Sequence, residues 1–187
     1  MGIQNHALQF APAAQDAGGR RNLAGLSREE LAEALGQLGL EAFRARQVWH
    51  WIYWRGATSF DVMTTLAKPV RTLLAEHFSI RRPEAARDMK SKDGTRKWLL
   101  RMEDGQEIES VHIPEEDRGT LCVSSQVGCT LTCHFCHTGT QRLVRNLEAT
   151  EIVGQVMLAR DMLGEWPSSN DGHRLLSNIV MMGMGEP

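Results

Sequence analysis

Three of the four cysteines lie in one short stretch, which reads Cys129-Thr130-Leu131-Thr132-Cys133-His134-Phe135-Cys136. The spacing is C-x3-C-x2-C, so three thiolates can reach one inorganic cluster from a single loop. Cysteine thiolates are the usual ligands of iron–sulfur clusters, and a four-iron cube held by only three of them keeps one iron without a protein ligand. A small molecule can bind that iron and be reduced, so the spacing predicts a reaction centre.

Two other interpretations of these cysteines stay open. Positions i, i+4 and i+7 share one face of a helix, where cysteine packs as a small hydrophobe, although Gly128, Gly139 and the threonines disfavour a helix. Alternatively, Cys122, His134 or His137 would complete a tetrahedral zinc site. Structural zinc sites usually take their ligands from two separated pairs, and the chain has no second C-x2-C.

The cysteine stretch follows a predicted strand, Thr120 to Ser125, and precedes a predicted helix, about Glu151 to Leu163, with Thr150 as N-cap. Ser177 to Met182 form a second predicted strand, which is followed by Gly183-Met184-Gly185-Glu186-Pro187. Strand, loop, helix and strand are typical of a βαβ unit in a parallel sheet. The cysteine loop and the glycine-rich segment are therefore expected at the same sheet edge, where active sites of such folds lie.

The first half of the chain predicts helices. Ser27-Arg28-Glu29-Glu30 is a capping box that opens the first helix. A second helix, about Glu41 to Arg55, carries three tryptophans within six residues, which cannot all lie on one face, so one or two are expected at the surface. A third helical stretch, Val70 to Phe78, follows Pro69, which suits a first-turn position.

A change of pattern predicts a small antiparallel meander after the helices. Asp93-Gly94 and Asp104-Gly105 are dipeptides typical of hairpin turns. Arg96 to Met102 lies between them, and Glu107 to Ile113 follows with apolar residues at alternate positions.

Composition indicates a soluble globular protein. The 187 residues are 42% hydrophobic and 24% charged, and no apolar run approaches the roughly 20 residues that span a bilayer. The first residues lack the apolar core of a secretory signal, so we expect a cytoplasmic protein without membrane association. In that reducing compartment, cysteines favour metal binding or catalysis over structural disulfides.

Charge is distributed unevenly along the chain. Arg20 to Arg101 holds 16 basic and 9 acidic residues, whereas Met102 to Pro187 holds 5 basic and 13 acidic ones. This asymmetry predicts that the first half meets a polyanion, although a solvated surface of mixed charge would give the same count. The candidates for contacts with RNA phosphates are Arg44, Arg46, Arg81, Arg82, Lys90, Lys92, Arg96 and Lys97.

Longer motifs carry a resemblance to a known family. They are Arg118-Gly119-Thr120-Leu121-Cys122-Val123-Ser124-Ser125-Gln126-Val127-Gly128-Cys129, then Arg145-Asn146-Leu147 with Glu151-Ile152-Val153-Gly154-Gln155-Val156, and Val180-Met181-Met182-Gly183-Met184-Gly185-Glu186-Pro187. From about Leu26 to Pro187 the chain resembles the RlmN and Cfr family of radical S-adenosylmethionine (SAM) RNA methyltransferases.

The resemblance implies an α/β fold and four regions. We expect a disordered tail at residues 1–20, a helical accessory region that binds RNA at 21–80, and a β-meander at 81–117. Residues 118–187 would be a radical SAM core, an incomplete (β/α) partial barrel truncated after its second strand.

The resemblance also implies the cofactors and their ligands. A 4Fe–4S cluster would bind to three cysteines, and SAM would chelate its open iron through amino and carboxylate groups. Phe135 would lie near the SAM adenine, and Gly185 and Glu186 would contact the SAM amino group. The implied cluster ligands are Cys129, Cys133 and Cys136.

The implied reaction is methylation of adenine C2 in 23S rRNA and tRNA, by way of a methylated cysteine. Glu109 matches the family's acceptor of the C2 proton, and Cys122 matches a cysteine of a transient disulfide that releases the product. The family's methyl-carrying cysteine lies downstream of Pro187, so we expect these residues to be an N-terminal part that is inactive alone. The full-length protein is expected to be a monomer that receives electrons from a carrier such as flavodoxin or ferredoxin. The rival hypothesis is a non-catalytic RNA-binding module stabilised by zinc or a cluster.

Overall fold

A computed structural model of the chain describes residues 19–116, 118–168 and 174–186. The tail predicted at residues 1–20 lies outside these ranges apart from Gly19 and Arg20. No helix in the described ranges is long and apolar enough to cross a membrane. The elements, in chain order, are β1 (Arg21–Asn22), α1 (Arg28–Gly36), α2 (Ala42–Tyr53), α3 (Lys68–His77), β2 (Phe78–Ser79), β3 (Glu84–Lys90), β4 (Arg96–Arg101), β5 (Glu107–Pro114), β6 (Gly119–Cys122), β7 (Gln126–Val127), a 3-10 turn (His137–Thr140), β8 (Arg145–Asn146), α4 (Ala149–Leu163) and β9 (Asn178–Val180).

The three predicted helices of the first half are all present. The capping box is confirmed: the Ser27 hydroxyl accepts from the Glu30 N–H, and the Glu30 carboxylate accepts from the Ser27 N–H. Helix α2 ends at Tyr53, and Gly56 follows with a φ of +69°. Helix α3 begins at Lys68, two residues earlier than predicted, with Pro69 in its first turn.

The three tryptophans in and just after α2 differ in burial, and the one or two expected at the surface are only partly exposed. Trp51 is buried in the core of the helical region, and its indole N–H donates to the Thr65 hydroxyl at 2.7 Å. Trp49 and Trp54 are half-buried. Two of the three indole rings, those of Trp49 and Trp54, therefore keep partial access to solvent.

The larger sheet has five strands in the order β3-β4-β5-β6-β9. Its first four strands are antiparallel, which confirms the predicted meander, and β6 runs parallel to β9. The parallel pair with α4 between its strands in sequence confirms the predicted βαβ unit. The meander and this unit therefore share one sheet.

Strand β6 is shorter than predicted, because it ends at Cys122 and not at Ser125. The Val123 N–H still donates to the Val180 carbonyl, at 2.9 Å. At Ser124 the backbone N–H and carbonyl bond instead to the Gln155 side chain of α4, and the N–H groups of Ser125 and Gln126 then donate to the Met184 carbonyl.

Helix α4 joins two hydrophobic cores. Its Leu158 and Ala159 pack with Trp98 and Leu121 of the sheet, while its Met157 belongs to the core of the helical region. The helix thus covers one face of the sheet and holds the helical region against it.

The start of α4 differs from the prediction. Its N-cap is Glu148 and not Thr150: the Glu148 carboxylate accepts from the Glu151 N–H, and the Glu151 carboxylate accepts from the Glu148 N–H. Thr150 is instead buried against Gly25, where an added Cβ would lie 2.4 Å from the Thr150 Cα. The reciprocal bonds of two glutamates satisfy two backbone donors, which a threonine within the first turn cannot do.

Replacing Gly25 with alanine should destabilise the protein more than the same change at Gly39. Both glycines have positive φ, +91° and +73°, so alanine at either costs about 1 kcal/mol in backbone strain. Only Gly25 has a close neighbour, and the clash with α4 should cost about 1 to 3 kcal/mol more. Urea unfolding of the two variants measures the difference, and equal midpoints would contradict this docking of α4.

Candidate functional site

Ser124 connects four segments of the chain. Its N–H donates to Gln155 Oε1 at 2.8 Å, and its carbonyl accepts from Gln155 Nε2 at 2.9 Å. Its hydroxyl donates to the Glu109 carbonyl at 2.6 Å and accepts from the Met184 N–H at 2.8 Å. Ser124 and Gln155 are both fully buried. Ser124, which lies two residues after the end of β6, thus ties β5, α4 and the segment after β9 together.

The glycine-rich segment after β9 lies against residues 124–126. A Cβ on Gly183 would lie 2.7 Å from the Ser124 hydroxyl oxygen, and one on Gly185, whose φ is +99°, would lie 2.5 Å from the Gln126 Cβ. The Met184 carbonyl accepts from the Gln126 N–H at 3.1 Å. The close approach that these glycines permit is therefore to the chain itself, and the two loops lie at the same sheet edge, as predicted.

The cysteine loop, residues 128–144, is closed by backbone pairing. Strand β7 pairs with β8 at its base, and the Cys129 N–H donates to the Gln141 carbonyl at 3.3 Å. The Cys136 N–H donates to the Cys133 carbonyl at 3.1 Å. A Cβ on Gly139 would lie 2.8 Å from that same Cys133 carbonyl oxygen. These bonds form a compact loop with one 3-10 turn, so the alternative of three cysteines on a helix face is wrong.

The thiols of the cysteine loop are accessible and suited to metal ligation. All four cysteines are free and partly exposed, so the disulfide implied for Cys122 is not formed here. Backbone N–H groups of Gly139 and Thr138 lower the pKa of Cys136, which favours the thiolate. Burial raises the pKa of Cys122, against a smaller opposing effect of the Met182 N–H.

The donor set fits an iron–sulfur cluster in type and exposure. Across the described ranges, however, no three His, Cys, Asp or Glu side chains converge to hold a metal ion. Neither a zinc tetrahedron nor a three-thiolate set is therefore assembled in this conformation.

The open face of the sheet carries Glu109 and Cys122. Val111 pairs with Cys122 across β5 and β6, and side chains alternate along a strand, so Glu109 and Cys122 lie on one face. Lys97 donates to the Glu109 carboxylate at 2.9 Å. The Lys97 side chain is 41% exposed and the Glu109 side chain is 43% exposed. The structure brings these residues to the same face and leaves them reachable from solvent.

The three residues predicted to contact SAM, Phe135, Gly185 and Glu186, do not lie together. Phe135 is 93% exposed, so its ring does not pack against the glycine-rich segment. Glu186 is exposed, and its N–H donates to Gln126 Oε1 at 3.2 Å. Of the predicted residues, Gly185 and Glu186 thus adjoin the base of the cysteine loop, and Phe135 extends from its tip.

Sequence reasoning assigned no role to Arg145, Ser124 or Gln155. The Arg145 guanidinium donates two hydrogen bonds of 2.7 Å to the Glu151 carboxylate and one of 2.7 Å to Asp104. It thereby holds β8, the returning strand of the cysteine loop, against α4 and the β4–β5 turn. All three residues lie in or beside the motifs that resemble the family, and this position is the feature of the sequence that marks them. Their partners cannot be identified from the sequence, because they are distant along the chain.

The predicted phosphate contacts are a mixed set. The prediction for Arg82 is wrong, because its side chain is buried and donates to Asp161 and to the Gly56 and Ala57 carbonyls. Three others lie in ion pairs, namely Arg81 with Glu103, Arg96 with Asp88, and Lys97 with Glu109. Exposed positions include Arg46, Lys90 and Lys92.

Comparison with known proteins defines the class of the chain. Its structure is similar to a radical SAM methyltransferase from Sphaerobacter thermophilus, with a TM-score of 0.78 and 44% identity, over 89% of this chain and 47% of that one. At this identity and TM-score, the fold and sequence are those of the radical SAM methyltransferases.

The particular family follows from sequence. Residues 21–80 match a family model described as the ribosomal RNA large subunit methyltransferase N-terminal domain. Curated relatives called dual-specificity RNA methyltransferase RlmN include one from Rhodospirillum rubrum, 66% identical over 89% of this chain and 39% of its own length. Another, from Acidiphilium cryptum, is 60% identical over 97% of this chain and 47% of its own length. The chain belongs to the RlmN family and spans less than half the length of these relatives.

Replacing Gln155 with methionine should lower the free energy of unfolding by about 2 to 4 kcal/mol. The change keeps the side-chain volume but leaves the buried Ser124 N–H and carbonyl without partners. The same change at Gln37, an exposed C-cap, should cost less than about 0.5 kcal/mol. Urea unfolding and hydrogen exchange of the Ser124 amide measure the effect. Equal midpoints for both variants would show that the Ser124–Gln155 bonds contribute nothing.

The Asp104–Arg145 pair should weaken in acid. The hydrogen bond from Arg145 lowers the pKa of Asp104 below its ordinary value of about 3.9, so its stabilisation is full above that value and is lost as pH falls through the folded-state pKa. Because the pair is partly exposed, the effect should stay below about 1 kcal/mol. Urea unfolding from pH 7 to 3 should show the deficit of Asp104→Asn shrinking below about pH 4. When Arg145 is already replaced by glutamine, Asp104→Asn should lower the free energy of unfolding by less at every pH.

Proposed function

We propose that this chain carries the cluster site and part of the SAM and substrate sites of a radical SAM methyltransferase that acts on C2 of adenine in 23S rRNA and tRNA. The observation that carries the proposal is the joining of the cysteine loop to the glycine-rich segment through Ser124 and Gln126, at the carboxyl edge of two parallel strands. The identity of 60% and more to relatives named dual-specificity RNA methyltransferases supports the reaction class.

Cys129, Cys133 and Cys136 would hold the 4Fe–4S cluster. When bound, the cluster supplies the electron for reductive cleavage of SAM. The peptide N–H groups of Thr138 and Gly139 prepare Cys136 by favouring its thiolate. The exposed ring of Phe135 is free to contact the SAM adenine, and Gly185 and Glu186 would receive its amino group.

Adenine C2 is not nucleophilic, so ordinary polar methyl transfer to it fails and a carbon radical has to add. Glu109 would accept the C2 proton afterwards. Its carboxylate is oriented by Lys97 and lies on the open sheet face beside β6. The electron donor would be a small carrier such as flavodoxin or ferredoxin, and the helical region would bind the folded RNA.

Cys122 would form the transient disulfide that releases the product. Burial raises the pKa of its thiol, and it lies on the face that carries Glu109. The partner would be the methyl-carrying cysteine, which is not among the four cysteines of this sequence. We therefore expect these 187 residues to transfer no methyl group by themselves.

Anaerobic reconstitution with iron and sulfide tests the cluster proposal. The chain should turn brown and bind about 4 iron atoms, and SAM should alter the electron paramagnetic resonance spectrum of the reduced cluster. Cys133→Ala should lose the colour, whereas Cys122→Ala should keep it, since Cys122 is no ligand. Colourless protein with one zinc ion per chain would overturn the proposal in favour of a zinc-stabilised RNA-binding module.

A further inference from the structure

A shallow groove on the helical region combines aromatic rings with cations. Its volume is about 430 Å³, and it lies along the outer side of α2 next to the start of α1. We call it the aromatic groove. Its lining residues are Arg28, Arg46, Trp49, His50, Tyr53 and Trp54.

The rings of the aromatic groove form two close pairs. The Trp49 and Tyr53 rings lie with centroids 4.2 Å apart and are tilted by 45° to each other. The His50 and Trp54 rings lie 6.1 Å apart and nearly parallel, at 17°. The Arg28 guanidinium lies over Trp49, 5.2 Å from the ring centroid. One side of α2 therefore offers flat π surfaces with positive charge beside them.

The hydrophobic core does not account for all these rings. Trp51 already fills the core from the opposite side of α2, and Trp49 and Tyr53 pack against it only in part. Trp54 is half-buried outside that core cluster, and His50 is exposed. A surface that groups large, partly exposed aromatic rings with cations is a candidate binding site.

The charge of the groove selects the kind of ligand. Among the described residues, those that line the groove include no acidic one, and Arg28 and Arg46 are both exposed. Unpaired nucleobases stack on aromatic rings, while their flanking phosphates attract arginine. Paired bases within a duplex hide their faces and cannot enter such a groove.

We propose that the aromatic groove binds an unpaired nucleobase of RNA, stacked on the Trp54 and His50 rings, with adjacent phosphates on Arg28 and Arg46. This proposal takes from the proposed function only the assumption that the ligand is RNA. It deepens that function, because it separates recognition of a single-stranded segment from general attraction to the phosphate backbone.

Binding of a fluorescein-labelled eight-nucleotide single-stranded RNA to the 187-residue chain tests the proposal. Fluorescence anisotropy should show tighter binding to this strand than to a blunt duplex of the same sequence. Trp54→Leu should weaken single-strand binding about 5- to 100-fold with little change in the salt dependence, because stacking carries no charge. Arg46→Gln should reduce the slope of log K against log salt concentration by about 0.7.

Arg55→Gln is the matched control. Arg55 is exposed in the turn that follows α2, but its guanidinium lies over Trp51 and outside the groove. It should weaken binding less than Arg46→Gln does. His50→Ala, at an exposed position, repeats the test of stacking should Trp54→Leu lose its helical circular dichroism signal.

Any one of three results would overturn the proposal that the groove binds an unpaired base. The first is equal affinity for the single strand and the duplex, and the second is unchanged single-strand affinity in both Trp54→Leu and His50→Ala. The third is an equal loss of affinity in Arg46→Gln and Arg55→Gln. The last would indicate a diffuse electrostatic surface. Iron content is measured separately, so a brown protein without groove binding refutes only the groove. A colourless protein that still prefers the single strand refutes only the cluster.

Discussion

The pair of hydrogen bonds between the Gln155 amide and the peptide groups of Ser124 is the interaction on which the site depends. At the end of β6 the backbone needs a donor and an acceptor, and one buried side chain of α4 supplies both. The Ser124 hydroxyl is then free to link the Glu109 carbonyl to the Met184 N–H. In a dry interior such a fully satisfied network is stable, whereas a partly satisfied one is costly. The relative positions of the cysteine loop, the glycine-rich segment and β5 all follow from it.

Arg145 extends this constraint to the far side of the cysteine loop. Its bidentate bonds to Glu151 and its bond to Asp104 hold β8 while the tip of the loop stays exposed. A firmly held base with an accessible tip suits the cluster-binding role that is proposed for the loop. Helix α4 carries both Gln155 and Glu151, and its Met157 reaches the core of the helical region, so the helical region and the cysteine loop share one support.

The uneven charge along the chain is partly consumed within the fold. Basic residues of the first half pair with acidic residues of the second: Arg81 with Glu103, Arg82 with Asp161, and Lys97 with Glu109. Part of the asymmetry therefore reflects contact between the two halves and not contact with a polyanion. Support for the proposed RNA binding comes from the residues that stay exposed, above all those of the aromatic groove, where cations and ring faces occur together.

The sequence alone determined the features that depend on near neighbours along the chain. The Ser27 capping box, Pro69 in the first turn of α3, the strand–helix–strand order and the cysteine spacing are all patterns within a few residues, and local hydrogen bonding and side-chain periodicity decide them. Tertiary structure decided the choice of distant partners. Gln155 reaches a residue 31 positions away, Arg145 one 41 positions away, and Arg82 one 79 positions away. Which of several similar polar side chains meets which buried group is settled only when the sheet, α4 and the helical region close on one another, because burial makes the unpaired alternatives costly.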